Sequence, residues 1–178
     1  YDADAFVVAA GAWSAAVVAP LNVELPVTPV KGQLAVYDSP VPDLPRPVYT
    51  RNGGYVAPKH SHMIVGTTVE KTGFDAGTTP DGRAALEGRT GQMLGIAPSL
   101  HLRETVAGLR PATPDLLPVI GFLPEWPSVL VASGHYRNGM LLAPATGVVV
   151  RDLVLGRPLP LDIAAFRPDR FRSDGNLS

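Results

Sequence analysis

Cysteine is missing from all 178 residues. That excludes disulfides and thiolate metal sites and fits a reducing compartment, so the expected location is cytoplasmic. An excess of either charge is missing too: 15 Lys and Arg face 16 Asp and Glu, for a net charge of −1. Without a basic stripe, no nucleic-acid partner is expected. No apolar run reaches the roughly 18 residues that cross a bilayer, so no membrane partner is expected either. The opening YDADAFVVAAGAW lacks the positive flank of a signal peptide. Internal repeats and low-complexity tracts are absent as well.

Glycine and proline are plentiful, at 18 and 19 residues, well above an average share near 12% for the two together. They punctuate apolar segments without any period, as in a loop-rich folded chain. Residues 4–10 read as a short parallel strand buried on both faces. GAWS and AAVVA follow, predicting a brief helix that ends at Pro20. The chain starts at Tyr1 with almost no lead-in to this strand, so it reads as a piece of a longer polypeptide.

From Leu25 to about Thr68, partial alternation bounded by Pro, Gly and Asn predicts antiparallel strands, with a hairpin turn at RNGG (51–54). Residues 80–95 predict a helix weakened by glycines. ETVAGLRPATPDLLPVIG (104–121) reads as strand, proline-rich turn and strand, and VLVAS (129–133) as a second core strand. Met140 to Leu155 predicts the best helix, with Arg151 and Asp152 outside and Gly156 as the stop. Pro144 is tolerable there only in the first turn. Parallel-type elements at both ends thus enclose an antiparallel block, and the fold class is α+β.

SGHYRNGMLLAPATG (133–147) joins a core strand to a helix through a polar loop between glycines. A helix N-terminus offers amide donors and partial positive charge, and glycine permits close backbone approach, so the stretch suits an anion or cofactor. From these residues alone, a polar surface loop is an equal alternative.

Six ordered blocks carry a resemblance: VVAAGAWS (7–14), PVKGQ (29–33), GYVAPK (54–59), IVGTT (64–68), AGLRPATPDLLPVIG (107–121) and GHYRNGMLLAPATG (134–147). Together the chain resembles the C-terminal half of the flavin-dependent amine oxidases of the D-amino acid oxidase type, nearest to the glycine oxidases of thiamine biosynthesis. The G-x-G-x-x-G fingerprint that holds the flavin pyrophosphate occurs nowhere in this sequence. The resemblance implies an antiparallel sheet substrate domain inserted into part of an FAD-binding, Rossmann-like α/β domain whose N-terminal half is missing. It places part of the FAD-binding domain at 1–20, the substrate domain at 21–121, and the rest of the FAD-binding domain, with its helix, at 122–178.

The implied activity is oxidative deamination of glycine, sarcosine or a small D-amino acid. Hydride passes to FAD, the imine is hydrolysed, and dioxygen reoxidises the flavin to give hydrogen peroxide. No catalytic acid or base is assigned. Sarcosine oxidases attach flavin through cysteine, so a chain without cysteine implies non-covalent FAD. The implied partners are a small amino acid, the missing N-terminal half and, among the assemblies allowed, a homo-oligomer. Two alternatives stand beside this: a truncated fragment without catalysis, and an amino-acid binding module without redox chemistry.

The resemblance also assigns residues. Arg110 would bind the substrate carboxylate through two parallel charge-assisted bonds; the bland alternative is a salt bridge to Glu104 or Asp115. Tyr55 would help hold the carboxylate, against a half-buried packing role. Arg137 would line the site near substrate and cofactor, against pairing with solvent or Asp152. Gly134, His135, Asn138, Gly139 and Met140 would lie beside the flavin ring. Gly11 and Trp13, with Ala12, would turn near the rest of FAD, against Trp13 as an ordinary core aromatic. Lys31-Gly32-Gln33 would open the sheet domain, with Gln33 supporting the pocket. His60 and His62 are two apart without a third ligand at suitable spacing, and His101 reads as surface, so no metal is expected.

Overall fold

The computed structural model describes residues 2–38, 44–51, 53–59, 61–94 and 100–172. In chain order the strands are β1 (Phe6–Val8), β2 (Thr28–Tyr37), β3 (Val48–Tyr49), β4 (Tyr55–Pro58), β5 (Met63–Gly66), β6 (Leu102–Ala112), β7 (Val119–Leu123) and β8 (Trp126–Ser133). The helices are α1 (Ser14–Val18), α2 (Pro80–Leu94) and α3 (Gly139–Val154). Mixed sheets with helices make the fold α+β, and the chain packs as two units, Tyr1–Val30 with Arg110–Ser178, and Lys31–Leu109.

The first unit is built on a sheet of order β1-β8-β7. β1 pairs parallel to β8, Phe6 opposite Val129 through Val8 opposite Val131, while β7 pairs antiparallel on the other side. Alternation divides the side chains of β7 between the two faces. Val119 and Leu123 join Val18, Leu25, Val129 and Val131 in one core, and Ile120 joins Val149 and Ile163 in another. Burial of such aliphatic side chains contributes roughly 1.5–3 kcal/mol each.

Three expectations need correction in this unit. β1 is not covered on both faces, because Phe6 and Val7 keep 47% and 45% of their surface; among the described residues β1 lies at the edge of its sheet, with β8 beside it. Asp152 does not lie outside but is buried at 5%, since its carboxylate is folded against Arg151, which donates from Nε at 2.8 Å and Nη2 at 3.0 Å. Pro144 sits beyond the first turn of α3, so the Met140 carbonyl receives no helical N–H from it.

The second unit carries most of a sheet of order β3-β4-β5-β2-β6. The predicted hairpin forms, with Val48 opposite Val56 and Tyr49 opposite Tyr55. Gly53 takes φ +79°, and Thr50 closes the turn by accepting from Gly54 N at 2.9 Å and donating to Gly54 O at 3.1 Å. Asn52 lies outside the described residues. Ala35, Tyr37, Val56, Met63, Val65 and Leu86 form the core between sheet and α2.

α2 starts where its sequence says it should. Thr79 precedes Pro80, and its Oγ1 accepts from Gly82 N at 3.1 Å, an N-cap followed by proline in the first helical position. Gly95, the last residue of the helix expected over 80–95, lies outside the described residues.

Across the β6–β7 turn, Asp115 accepts from Arg170 at 2.8 and 3.2 Å. Those bonds hold its carboxyl at about 2; burial opposes them, and the Leu117 N–H and the Thr113 hydroxyl add to them. A lowered carboxyl value stabilises the fold above the ordinary carboxylate range, and that stability is lost as pH falls toward the folded value. Asp115→Asn should therefore lower stability near neutral pH by about 1 kcal/mol for a partly exposed pair, read as a fall in Tm. It should also flatten the loss of Tm between about pH 4 and 2. Thermal melts of both proteins across that range check this.

Candidate functional site

Parallel strands end at the same edge of their sheet. β1 leads into the turn Gly11–Trp13 and β8 into the loop 134–138, so both leave side by side from strand carboxyl ends, the edge at which open α/β sheets bind ligands. Two buried hydroxyls tie the turns together. Ser14 Oγ donates to Ser133 Oγ at 2.9 Å, and Ser133 Oγ donates to Gly11 O at 2.9 Å. Gly11 has φ +55°, and a Cβ built there would meet nothing within 4 Å. Trp13 is no core aromatic: it is 51% exposed, while Ala12 on the same three-residue 3-10 turn takes the buried side.

The loop after β8 is docked by its backbone. Tyr136, at φ +48°, donates its N–H to Pro111 O at 2.8 Å, and His135 forms a bridge with Ala112. These contacts set the loop directly beside the end of β6 that carries half-buried Arg110. Gly134, at φ +76°, is required by packing: its Cβ would lie 2.7 Å from Thr113 Cγ2. Arg137 is exposed and Met140 is 95% exposed. Asp115, one acid weighed as a partner for Arg110, is held by Arg170. Asp152, weighed for Arg137, is held by Arg151.

α3 begins at Gly139 with Asn138 as N-cap, no side-chain cap and no acidic residue in the first turn. Helix geometry leaves the N–H groups of Gly139, Met140 and Leu141 without an intrahelical acceptor, so this end carries partial positive charge. His135 is half-buried, and its Nε2 lies 2.9 Å from Thr146 Oγ1 on α3. Burial lowers its pKa from the ordinary 6.5, which keeps the imidazole neutral near pH 7.

Tyr55 belongs to the second unit and Arg110 to the first. Tyr55 pairs in register with Gly66, and a Cβ on Gly66 would lie 2.6 Å from Tyr55 Cε1 and Cζ. The ring therefore lies over a position that only glycine permits, 5.8 Å from the Tyr49 ring centre.

Lys31 and Gln33 are wholly buried in the same unit. Lys31 Nζ donates to Asp75 Oδ2 at 3.1 Å and Gly77 O at 3.1 Å, and lies 3.4 Å from Glu70 Oε2. Gln33 Nε2 donates to Glu70 Oε1 and Thr79 Oγ1, both at 2.9 Å, while its Oε1 accepts from Thr79 N at 2.9 Å. Asp75, against opposing burial and with help from Glu70, raises the Lys31 pKa. Burial pushes Glu70 up, but donors from Thr68, Gln33 and Lys31 outweigh it and lower its pKa. Among the described residues no buried side-chain nitrogen or oxygen lacks a partner. No group of three His, Asp or Glu among them is placed to hold a metal; His60 lies outside the described residues. No helix among them is long and apolar enough to cross a membrane.

The family model for FAD dependent oxidoreductases (DAO) matches residues 1–153. The chain belongs to this family. It is 38% identical over 166 residues to the glycine oxidase of Pseudomonas aeruginosa, covering 93% of this chain and 45% of that protein. The crystal structure of glycine oxidase from Geobacillus kaustophilus superposes with a TM-score of 0.91 at 36% identity, over 97% of this chain and 47% of that one. That of iminodiacetate oxidase from Chelativorans sp. BNC1 gives 0.84 at 28%, over 94% and 46%. The chain thus spans a little under half the length of the relatives it matches.

For a member of the FAD dependent oxidoreductases, the first unit offers surfaces that fit a flavin nucleotide. The Gly11 turn is open where a side chain would stand, and the start of α3 presents amide donors without a competing carboxylate. Sequence reasoning passed over Ser14, Ser133 and Thr146, whose hydroxyls hold these turns. The available signal was a lone hydroxyl set in each of three apolar stretches, AWSAA, LVASG and APATG.

Because the folded value of His135 is lowered, its contribution to stability is complete above pH 6.5 and is lost as pH falls through the folded value. A two-dimensional NMR titration should find His135 titrating below 6.5. Thr146→Val should cost about 1 kcal/mol by removing the ring's partner, read as a fall in Tm.

Proposed function

We propose that the protein is a FAD-dependent oxidase of glycine or another small amino acid or amine, such as sarcosine or a D-amino acid. The observation that carries this reading is the meeting of the Gly11 turn, the 134–138 loop and the Arg110 end of β6 in one unit of a FAD dependent oxidoreductase. Two of the three relatives cited above are glycine oxidases, and the proposed substrate class follows them.

FAD, held without a covalent bond, supplies two-electron oxidation of the substrate's α-carbon and returns the electrons to dioxygen as hydrogen peroxide. Arg110 grips the substrate carboxylate with its planar guanidinium and fixes the rotation of the α-carbon. Tyr55 contacts the substrate through its hydroxyl, and Arg137 lines the site beside it. Gly11, Trp13, Gly134, His135, Asn138, Gly139 and Met140 hold the cofactor; the amide donors at the start of α3 favour negative charge there. His135 stands at that helix start, with its Nε2 2.9 Å from Thr146 Oγ1 on α3. The oxidised substrate is an imine, which water converts to the oxo acid with release of ammonia, or of methylamine where the substrate is sarcosine.

Two surfaces support a role for this chain within a larger flavoprotein. Phe6 and Val7 on β1 and Met140 and Leu141 on α3 are exposed apolar residues, and the relatives are about twice as long. A further segment would supply the pyrophosphate fingerprint that this sequence lacks.

In the full-length flavoprotein, Arg110→Ala should raise KM by roughly two orders of magnitude, the size of losing a bidentate charge-assisted pair. Flavin absorbance should remain. Loss of flavin with unchanged KM would sink the assignment of Arg110, and a full-length protein that purifies without flavin would sink the reading as a whole.

A further inference from the structure

We infer that Arg89, outside the proposed site, is a positioning residue that sets the Tyr55 ring. This rests on the reading of Tyr55 as a substrate contact. Tyr55 and Gly66 face each other across β4 and β5, with the ring lying on the Gly66 backbone. Arg89, from α2, reaches the residue beside each of them. Its Nη1 donates to the carbonyl of Thr67, next after Gly66, at 2.5 Å. Its stem presses on Gly54, next before Tyr55: a Cβ there would lie 2.8 Å from Arg89 Cδ and 3.1 Å from Nε. One side chain therefore fixes both backbones that carry the pair.

The residues around it are consistent with a strut. Gly54 is buried, and Thr50 bonds to its N–H and carbonyl, so the start of β4 cannot retreat from the Arg89 stem without breaking the turn. Thr67 is held from the other side, donating from Oγ1 to Gln33 O at 3.2 Å. Gln33 is in turn fixed on Thr79 and Glu70, with Gly82 leaving room for its amide. The Arg89 side chain thus links α2 to the residues flanking both members of the Tyr55–Gly66 pair. A planar guanidinium on a long stem can both donate to a carbonyl and pack flat on a glycine; a shorter or apolar side chain does one of these at most.

The test uses the full-length flavoprotein with 3-fluorotyrosine, its Tyr55 resonance assigned through Tyr55→Phe. Arg89→Met keeps the stem and removes the donor, Arg89→Lys restores a donor, and Leu86→Ala destabilises α2 from its buried side. Arg89→Met should move the Tyr55 fluorine resonance and raise KM about tenfold with kcat nearly unchanged. Arg89→Lys should recover part of both, and Leu86→Ala should lower Tm without moving either. An unmoved resonance in Arg89→Met overturns the inference, as does a moved resonance with unchanged KM when Tyr55→Phe raises KM. Equal effects from Leu86→Ala also overturn it, by showing a general loss of stability. If Tyr55→Phe itself leaves KM unchanged, the substrate role of Tyr55 fails, and this inference falls with it even though the resonance has moved.

Discussion

Parallel pairing of Phe6–Val8 with Val129–Val131 is the constraint from which the candidate site follows. Antiparallel strands would send their following turns to opposite edges; parallel ones must release both at the same edge. The pairing joins segments more than a hundred residues apart, and closing so long a loop is costly in entropy. Interleaved Val18, Leu25, Val119 and Val131 side chains offset that cost. The Ser14–Ser133–Gly11 hydroxyl chain then fixes the two turns against each other inside a buried region, where an unmade hydrogen bond is expensive.

The second unit solves a different problem. β2 enters it with Lys31, Gly32 and Gln33 buried among apolar neighbours. Such groups are tolerated only when every donor and acceptor is met. Glu70, Asp75, Gly77 and Thr79 meet them, and the irregular stretch after β5 is thereby stapled to β2. The arrangement opposes a one-residue slip of β2, which would turn Lys31 and Gln33 to the other face.

Much of the secondary structure was legible in the residues. Turn chemistry at RNGG, the proline-led start of α2 and the apolar runs of β8 and α3 are local signals, and local signals survive folding. What was not legible depends on distant partners. Burial of Lys31 is set by acids some 40 positions away, and the fold of Asp152 onto Arg151 depends on which face of α3 packs on Ile120. The exposure of β1 likewise depends on how many strands lie beside it. In the candidate site, the polar loop running from β8 into a helix start could be read from its residues, and the order of the six blocks pointed to the family. Its docking on Pro111 could not be read, since a backbone hydrogen bond leaves no mark on residue type.

The most direct test is a crystal structure of the full-length protein with flavin and a non-oxidisable carboxylate bound. This account predicts the cofactor against the Gly11 turn and the start of α3, with the carboxylate in hydrogen-bond contact with the Arg110 guanidinium. A cofactor bound away from the carboxyl ends of β1 and β8, or a carboxylate held without Arg110, would contradict it.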